Sequence, residues 1–275
     1  MSSNAFPPNR WTLERFGMTP GKVRHRVADR TAPRVFCDSI PKAGTHLLER
    51  AVCLHPRMYR KLRPTVGDGN VVRWRGLGGV VADLRPGQVI VSHLSFRPEY
   101  PGSLRDRVVL PVFLIRDPRD IVVSQVHFVS KTRDHRQHET FASIPDTRER
   151  LRLSIVGDPD RKVASIADRL DRYAGWLTSG ALVVRFEDLV GSGGGGDDAA
   201  QERTVRELYG YLGLEADDAR VGATCRQLFS SDSPTFRKGA IGQWRDQFDD
   251  ELEALFARSV GDRMQTYGYE PLRKG

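Results

Sequence analysis

Lysine, glycine and threonine stand together in Pro41-Lys42-Ala43-Gly44-Thr45-His46, directly after the strand-like run 34–40 and directly before an amphipathic run that ends near residue 55. A strand, a tight turn and a helix in that order make a cup for an anion. The first N–H groups of a helix have no partner inside it, and the helix dipole adds partial positive charge at the same end. Lys42 supplies a full charge, Gly44 lets the backbone come close, and the Thr45 hydroxyl donates once more. The turn is not a Walker A loop, because its lysine precedes the only glycine and Pro41 opens it.

Such a cup works only where a sheet and helices hold it. Short apolar, β-branched runs predict strands at 34–40, 88–92, 108–115 and 181–186, and helical patterns fall at 44–55, 119–130, 161–179, 202–213 and 247–266. The alternation implies an α/β fold in three layers, with a mostly parallel central sheet and helices on both faces. In such sheets ligands bind beyond the carboxyl ends of the strands. Ser39, His93, Arg116 and Phe186 each fall at or just past one.

Residues 1–32 are basic (Arg10, Arg15, Lys22, Arg24, Arg26, Arg30) and read as a solvated arm or a short helix over the surface. Residues 33–275 read as one domain. The Gly-Ser-Gly-Gly-Gly-Gly run at 191–196 opens a stretch, 191–200, expected to be a flexible loop. Residues 131–160 are rich in Arg, His, Asp and Pro with poor periodicity.

A net charge of +8, from 43 Lys and Arg against 35 Asp and Glu, fits a polyanionic ligand or a nucleic acid equally well. Three scattered cysteines, Cys37, Cys53 and Cys225, exclude a disulfide framework, and no metal-ligand spacing stands out. His135 and His138 have helical spacing but no evident third ligand. No run of about 18 apolar residues occurs, so a cytoplasmic protein without a membrane contact is expected.

Three segments carry a resemblance. Pro41–His46 resembles the 5′-phosphosulfate loop of sulfotransferases that use 3′-phosphoadenosine 5′-phosphosulfate (PAPS). Residues 113–128, Phe-Leu-Ile-Arg-Asp-Pro-Arg-Asp-Ile-Val-Val-Ser-Gln-Val-His-Phe, resemble the strand-turn-helix that grips the nucleotide 3′-phosphate. Phe236-Arg237-Lys238-Gly239-Ala240-Ile241-Gly242-Gln243-Trp244 resembles the family's Arg-Lys-Gly-x-x-Gly-x-Trp segment. Their order along the chain also matches. The chain is therefore similar to cytosolic-type sulfotransferases.

The resemblance implies that Lys42, Ala43, Gly44, Thr45 and His46 hold the 5′ end of PAPS, while Arg116, Ser124, Arg237, Lys238 and Gly239 hold the 3′-phosphate. An arginine fork and a serine hydroxyl suit that group. Phe186 takes the place of a family tyrosine that flanks the adenine, with core packing as the other reading. His93, in Val-Ile-Val-Ser-His-Leu, resembles the family's catalytic base, and Lys42 would stabilise the leaving phosphate as adenosine 3′,5′-bisphosphate (PAP) departs. The resemblance also implies mobility in residues 131–160. No metal is expected.

Two departures accompany the match. Val91 replaces the family lysine two positions before the base, with His46 or Arg97 as substitutes, and Leu47 replaces an adenine-stacking tryptophan. The acceptor, a hydroxyl on a small molecule or carbohydrate, and the oligomeric state are not readable. A nucleotide-dependent kinase of similar fold and a non-catalytic polyanion- or nucleic-acid-binding domain are the alternatives.

Overall fold

Five parallel strands in the order β2-β4-β1-β5-β6 form the centre of the molecule, and β3 adds a short pairing to the end of β4. They are β1 (Arg34–Ser39), β2 (Tyr59–Arg60), β3 (Val66–Gly67), β4 (Gln88–His93), β5 (Val109–Ile115) and β6 (Leu182–Arg185). The computed structural model describes residues 10–229 and 240–270. Burial on both faces explains why these strands read as apolar runs with little alternation.

Successive side chains of β1 point to opposite layers. Val35 and Cys37 meet Val89, Val91, Val112 and Leu114 on one face, under the helices Thr45–Cys53, Asp198–Tyr211 and Asp218–Leu228. Phe36 and Phe113 face the other layer, where the buried Trp176 packs with Leu170 and Ile121. The register brings Asp38 beside Ser92 on one side and Phe113 on the other, so the ends of β1, β4 and β5 finish near one another. The three-layer α/β expectation is borne out.

Several boundaries move for local reasons. The expected helix 161–179 starts at Ile166, where Ser165 and Asp168 form a capping box, and its last turn is a 3-10 helix at Ala174–Thr178. The expected helix 247–266 is two, Asp250–Val260 and Arg263–Thr266, divided at Gly261 with φ 51°.

Residues 131–160 are not an irregular stretch: they contain the helices His138–Ala142 and Thr147–Val156, the second capped by Asp146 accepting from Arg148 N–H. The glycine run is likewise a packed turn and not a flexible loop. Gly193 lies against Phe229, Gly196 against the Glu187 carbonyl, and the Gly194 carbonyl accepts from Ile241 N–H at 3.0 Å. Close approach, rather than looseness, explains those glycines.

The described part of the basic arm consists of the helices Arg10–Arg15 and Pro20–Ala28. Lys22 is buried, with its ammonium donating to the carbonyls of Cys53 and Met58, and Arg15 pairs with the buried Glu49. Arg60 reaches Glu49 from the other side at 2.7 Å. These residues therefore clasp the Thr45–Cys53 helix rather than trailing in solvent. Among the described residues no helix is long and apolar enough to cross a membrane.

Candidate active site

The turn after β1 is held in a conformation that few residues adopt. Lys42 has φ 77° and Gly44 has φ 111°, and Gly44 caps the start of the Thr45–Cys53 helix. A Cβ on Gly44 would come within 2.5 Å of the Phe186 ring, so this glycine is needed for a side-chain contact as well as for its backbone. Ala43 is fully buried beneath the turn. Thr45 Oγ1 bonds Ser39 Oγ at 2.6 Å, tying the helix start to the end of β1.

His93, at the end of β4, places Nδ1 2.9 Å from the Ser39 carbonyl oxygen. A carbonyl only accepts, so Nδ1 carries the hydrogen and Nε2 keeps its lone pair. Burial lowers the His93 pKa to about 4, with Lys42, His46 and Arg60 adding to the effect. The ring is neutral at pH 7, and its orientation is fixed by β1.

β1 holds β4 a second way. The Ser92 hydroxyl and the Leu94 N–H, flanking His93, both donate to Asp38 Oδ1, while the buried Oδ2 has no partner. Burial pushes the Asp38 carboxyl up to about 8. The sequence signal was one acidic residue inside an apolar strand, and sequence reasoning passed over it.

Arg116, which is buried, follows directly on the last residue of β5. Its guanidinium lies 4.3 Å from the Phe186 ring centroid, donates to the Ala240 carbonyl at 2.9 Å and stands 3.5 Å from Asp120. Its Nε is buried without a partner. Asp120, near the start of the helix Pro118–Lys131, accepts from Gly242 N–H at 2.8 Å and Trp244 N–H at 3.1 Å. The second and third sequence segments are therefore physically joined. Asp120 also stands in its helix's first turn, where the dipole favours a carboxylate.

Lys42, Gly44, Thr45, His93, Arg116, Asp120 and Phe186 open on one cavity of about 1010 Å³, whereas the buried Ala43, Asp38, Ser39 and Ser92 are not part of its lining. His46, Ser124, His127 and Phe128 also line it. Lys42 Nζ sits 3.7 Å from the Phe128 ring centroid, and burial, with Arg116 adding to it, lowers its pKa to about 8. The expected residues Arg237, Lys238 and Gly239 lie outside the described residues. The rest of that segment, Ala240–Trp244, is docked on Arg116 and Asp120.

No family model matches the chain. The 3-alpha-hydroxysteroid sulfotransferase of Cavia porcellus is 22% identical over 260 residues, covering 84% of this chain and 83% of the relative. The crystal structure of mouse sulfotransferase SULT7A1 complexed with PAP superimposes with a TM-score of 0.60 at 18% identity, covering 90% of this chain and 93% of the other. Retinol dehydratase in complex with androsterone and PAP gives 0.54 at 15% identity, with 93% and 87% covered. The fold is that of the cytosolic-type sulfotransferases.

Within this sulfotransferase fold the departures take physical form. Val91 is buried in the sheet with no charge to offer, and of the two residues considered as substitutes only His46 lines the cavity, whereas Arg97 is exposed and does not. Leu47 lines the cavity as a mostly buried aliphatic side chain. Phe186 is 3% exposed, its ring taken up by Gly44 on one side and Arg116 on the other. The histidine pair is occupied within the protein: His138 Nδ1 lies 2.9 Å from the Val129 carbonyl, and His135 Nδ1 accepts from Gln137 N–H.

Proposed function

We propose that the protein transfers a sulfuryl group from PAPS to a hydroxyl of an acceptor. The observation that carries this reading is the convergence of Lys42, His93 and Arg116, from the ends of three different strands, on one cavity. The groups also fit the donor's charge. Arg116 has a buried, unpartnered Nε, and Lys42 is held without a carboxylate among the causes that set its pKa, so an anion would relieve both.

Each residue then has a task. His93 Nε2 takes the proton from the acceptor hydroxyl, with Nδ1–H held by the Ser39 carbonyl throughout. The acceptor oxygen bonds to sulfur as the bond from sulfur to the phosphate oxygen breaks, and the electron pair stays on that oxygen. Lys42 and the N–H groups at the start of the Thr45–Cys53 helix meet the charge that develops there. Arg116 and Ser124 hold the 3′-phosphate, Phe186 backs the Arg116 guanidinium, and Asp120 holds the Gly242–Trp244 segment against that end. Arg237, Lys238 and Gly239 belong to this grip on the resemblance alone.

The test supplies PAPS labelled with ³⁵S and a panel of phenolic, steroidal and sugar hydroxyls. Expected is acceptor-dependent label transfer with PAP as co-product, reduced at least about 100-fold in His93→Ala while PAP binding stays within a few fold. Transfer from ATP but not PAPS would establish the kinase reading instead.

A further inference from the structure

Besides the groups placed at the donor, the same cavity is lined by Lys131, Arg136, Arg169 and Arg172, and the carboxylates among its described lining residues are Asp68 and Asp120, the latter already engaged by Arg116 and the Gly242 and Trp244 N–H groups. Acceptors made only of carbon and neutral hydroxyls call for no such charge. Arg169 is the informative member. Its guanidinium is pinned by neutral oxygens, with Nη2 donating to Ser154 O at 3.0 Å and to Ser154 Oγ at 3.1 Å, and Nε to Ser165 O at 3.4 Å. Nη1 is buried and has no partner.

Among the described residues no carboxylate lies within ion-pair distance of Arg169, Arg172, Lys131 or Arg136. Asp168, beside Arg169 in sequence, is turned back to cap its own helix by accepting from Ser165 N–H. Asp68 is held by the Ser95 N–H and hydroxyl. Arg172 follows Arg169 by one helical turn, so two like charges share a face, which is unfavourable in the free protein. Burial lowers the Arg169 pKa to about 10, with Arg172 adding to it and Tyr173 and Asp168 opposing it only in part. A buried, fixed and unpaired guanidinium is costly unless a ligand anion completes it.

The position suits an acceptor. The Arg172 carbonyl accepts from Phe96 N–H at 2.7 Å, fixing this helix to the segment three residues after His93. Lys42, Phe128 and His135 make one run of contacts along the lining of that cavity, with the Phe128 and His135 rings 5.7 Å apart.

We infer that the acceptor is itself anionic: a hydroxyl compound whose carboxylate, sulfate or phosphate seats on Arg169 and Arg172 while its hydroxyl faces His93. This rests on the sulfotransferase reading of the same cavity and names the class of molecule that shares it with the donor. The chemistry at the hydroxyl is unchanged, since the anionic group only binds.

Binding is measured by calorimetry on the full chain saturated with PAP, so that the donor site is filled. The probes are matched pairs: 4-hydroxyphenylacetate with its amide, 4-hydroxybenzenesulfonate with its sulfonamide, and glucose 6-phosphate with glucose. At least one anion binds tenfold or more tightly than its neutral partner, and the pair that shows this identifies the anion type. Arg169→Gln and, separately, the exposed Arg172→Gln reduce that preference to threefold or less with PAP affinity unchanged. Equal binding within every pair, no binding by any anion, or a preference surviving both substitutions overturns the inference. Failure to bind PAP in the first step would instead count against the sulfotransferase reading itself.

Discussion

Replacing Gly44 by alanine separates two costs that meet at one atom. The backbone there has φ 111°, and a side chain in that region costs about 1–2 kcal/mol. The added Cβ would also stand 2.5 Å and 2.8 Å from two atoms of the Phe186 ring, an overpacking worth about 1–3 kcal/mol. The combined destabilisation is therefore about 2–5 kcal/mol, or a fall of about 4–20 °C in Tm for a domain of roughly this size. Because the same ring backs the Arg116 guanidinium, PAP affinity falls as well. Phe186→Leu removes the clash but leaves the backbone cost. In urea unfolding, the Gly44→Ala, Phe186→Leu double variant should show about 1–3 kcal/mol of favourable coupling. Additive costs within about 0.5 kcal/mol would refute the claim that ring contact, as well as backbone conformation, requires glycine here.

Lowering pH should weaken the fold through His93. Its folded pKa of about 4 lies below the unfolded reference of about 6.5, so the unfolded chain takes up the proton first and stability falls as pH drops through that window. His93→Gln should shrink the stability difference between pH 7 and pH 5 by about 2 kcal/mol in urea unfolding. Lys42, lowered to about 8, should regain its proton when an anion binds, so PAP binding at pH 9 takes up protons in calorimetry across buffers and weakens from pH 8 to pH 10. Lys42→Ala should abolish that uptake and cost more in rate than in donor affinity. Asp120→Ala strands two backbone N–H groups and removes a partner of Arg116, so PAP affinity should drop at least tenfold and proteolysis near Gly242 should quicken, which limited trypsin digestion reads out.

What was legible depended on how local the cause was. The strand-turn-helix at Lys42–Thr45 follows from neighbouring residues, and so do the apolar strands that carry His93 and Arg116 to one edge of the sheet. That these three share a cavity followed from parallel topology. The glycine run misled because its order comes from Phe229 and Ile241, distant in sequence, which no local composition encodes. Residues 131–160 hid two helices because their shortness and high charge blur periodicity, while the Asp146 cap was a local signal not used. Asp38 and Arg169 were missed because the meaning of a charged residue lies in its lack of partners, and that is visible only once the chain is folded.

Arg116 and Lys42 are proposed to grip opposite ends of one nucleotide that carries a phosphate at each end. Calorimetry with PAP and 5′-AMP, on the wild type and Arg116→Ala, tests it most directly. PAP should bind the wild type at least about 100-fold more tightly than 5′-AMP, the worth of a charge-assisted phosphate grip, and Arg116→Ala should collapse most of that ratio. Equal affinity for the two nucleotides in the wild type, or an undiminished preference in the variant, would contradict it.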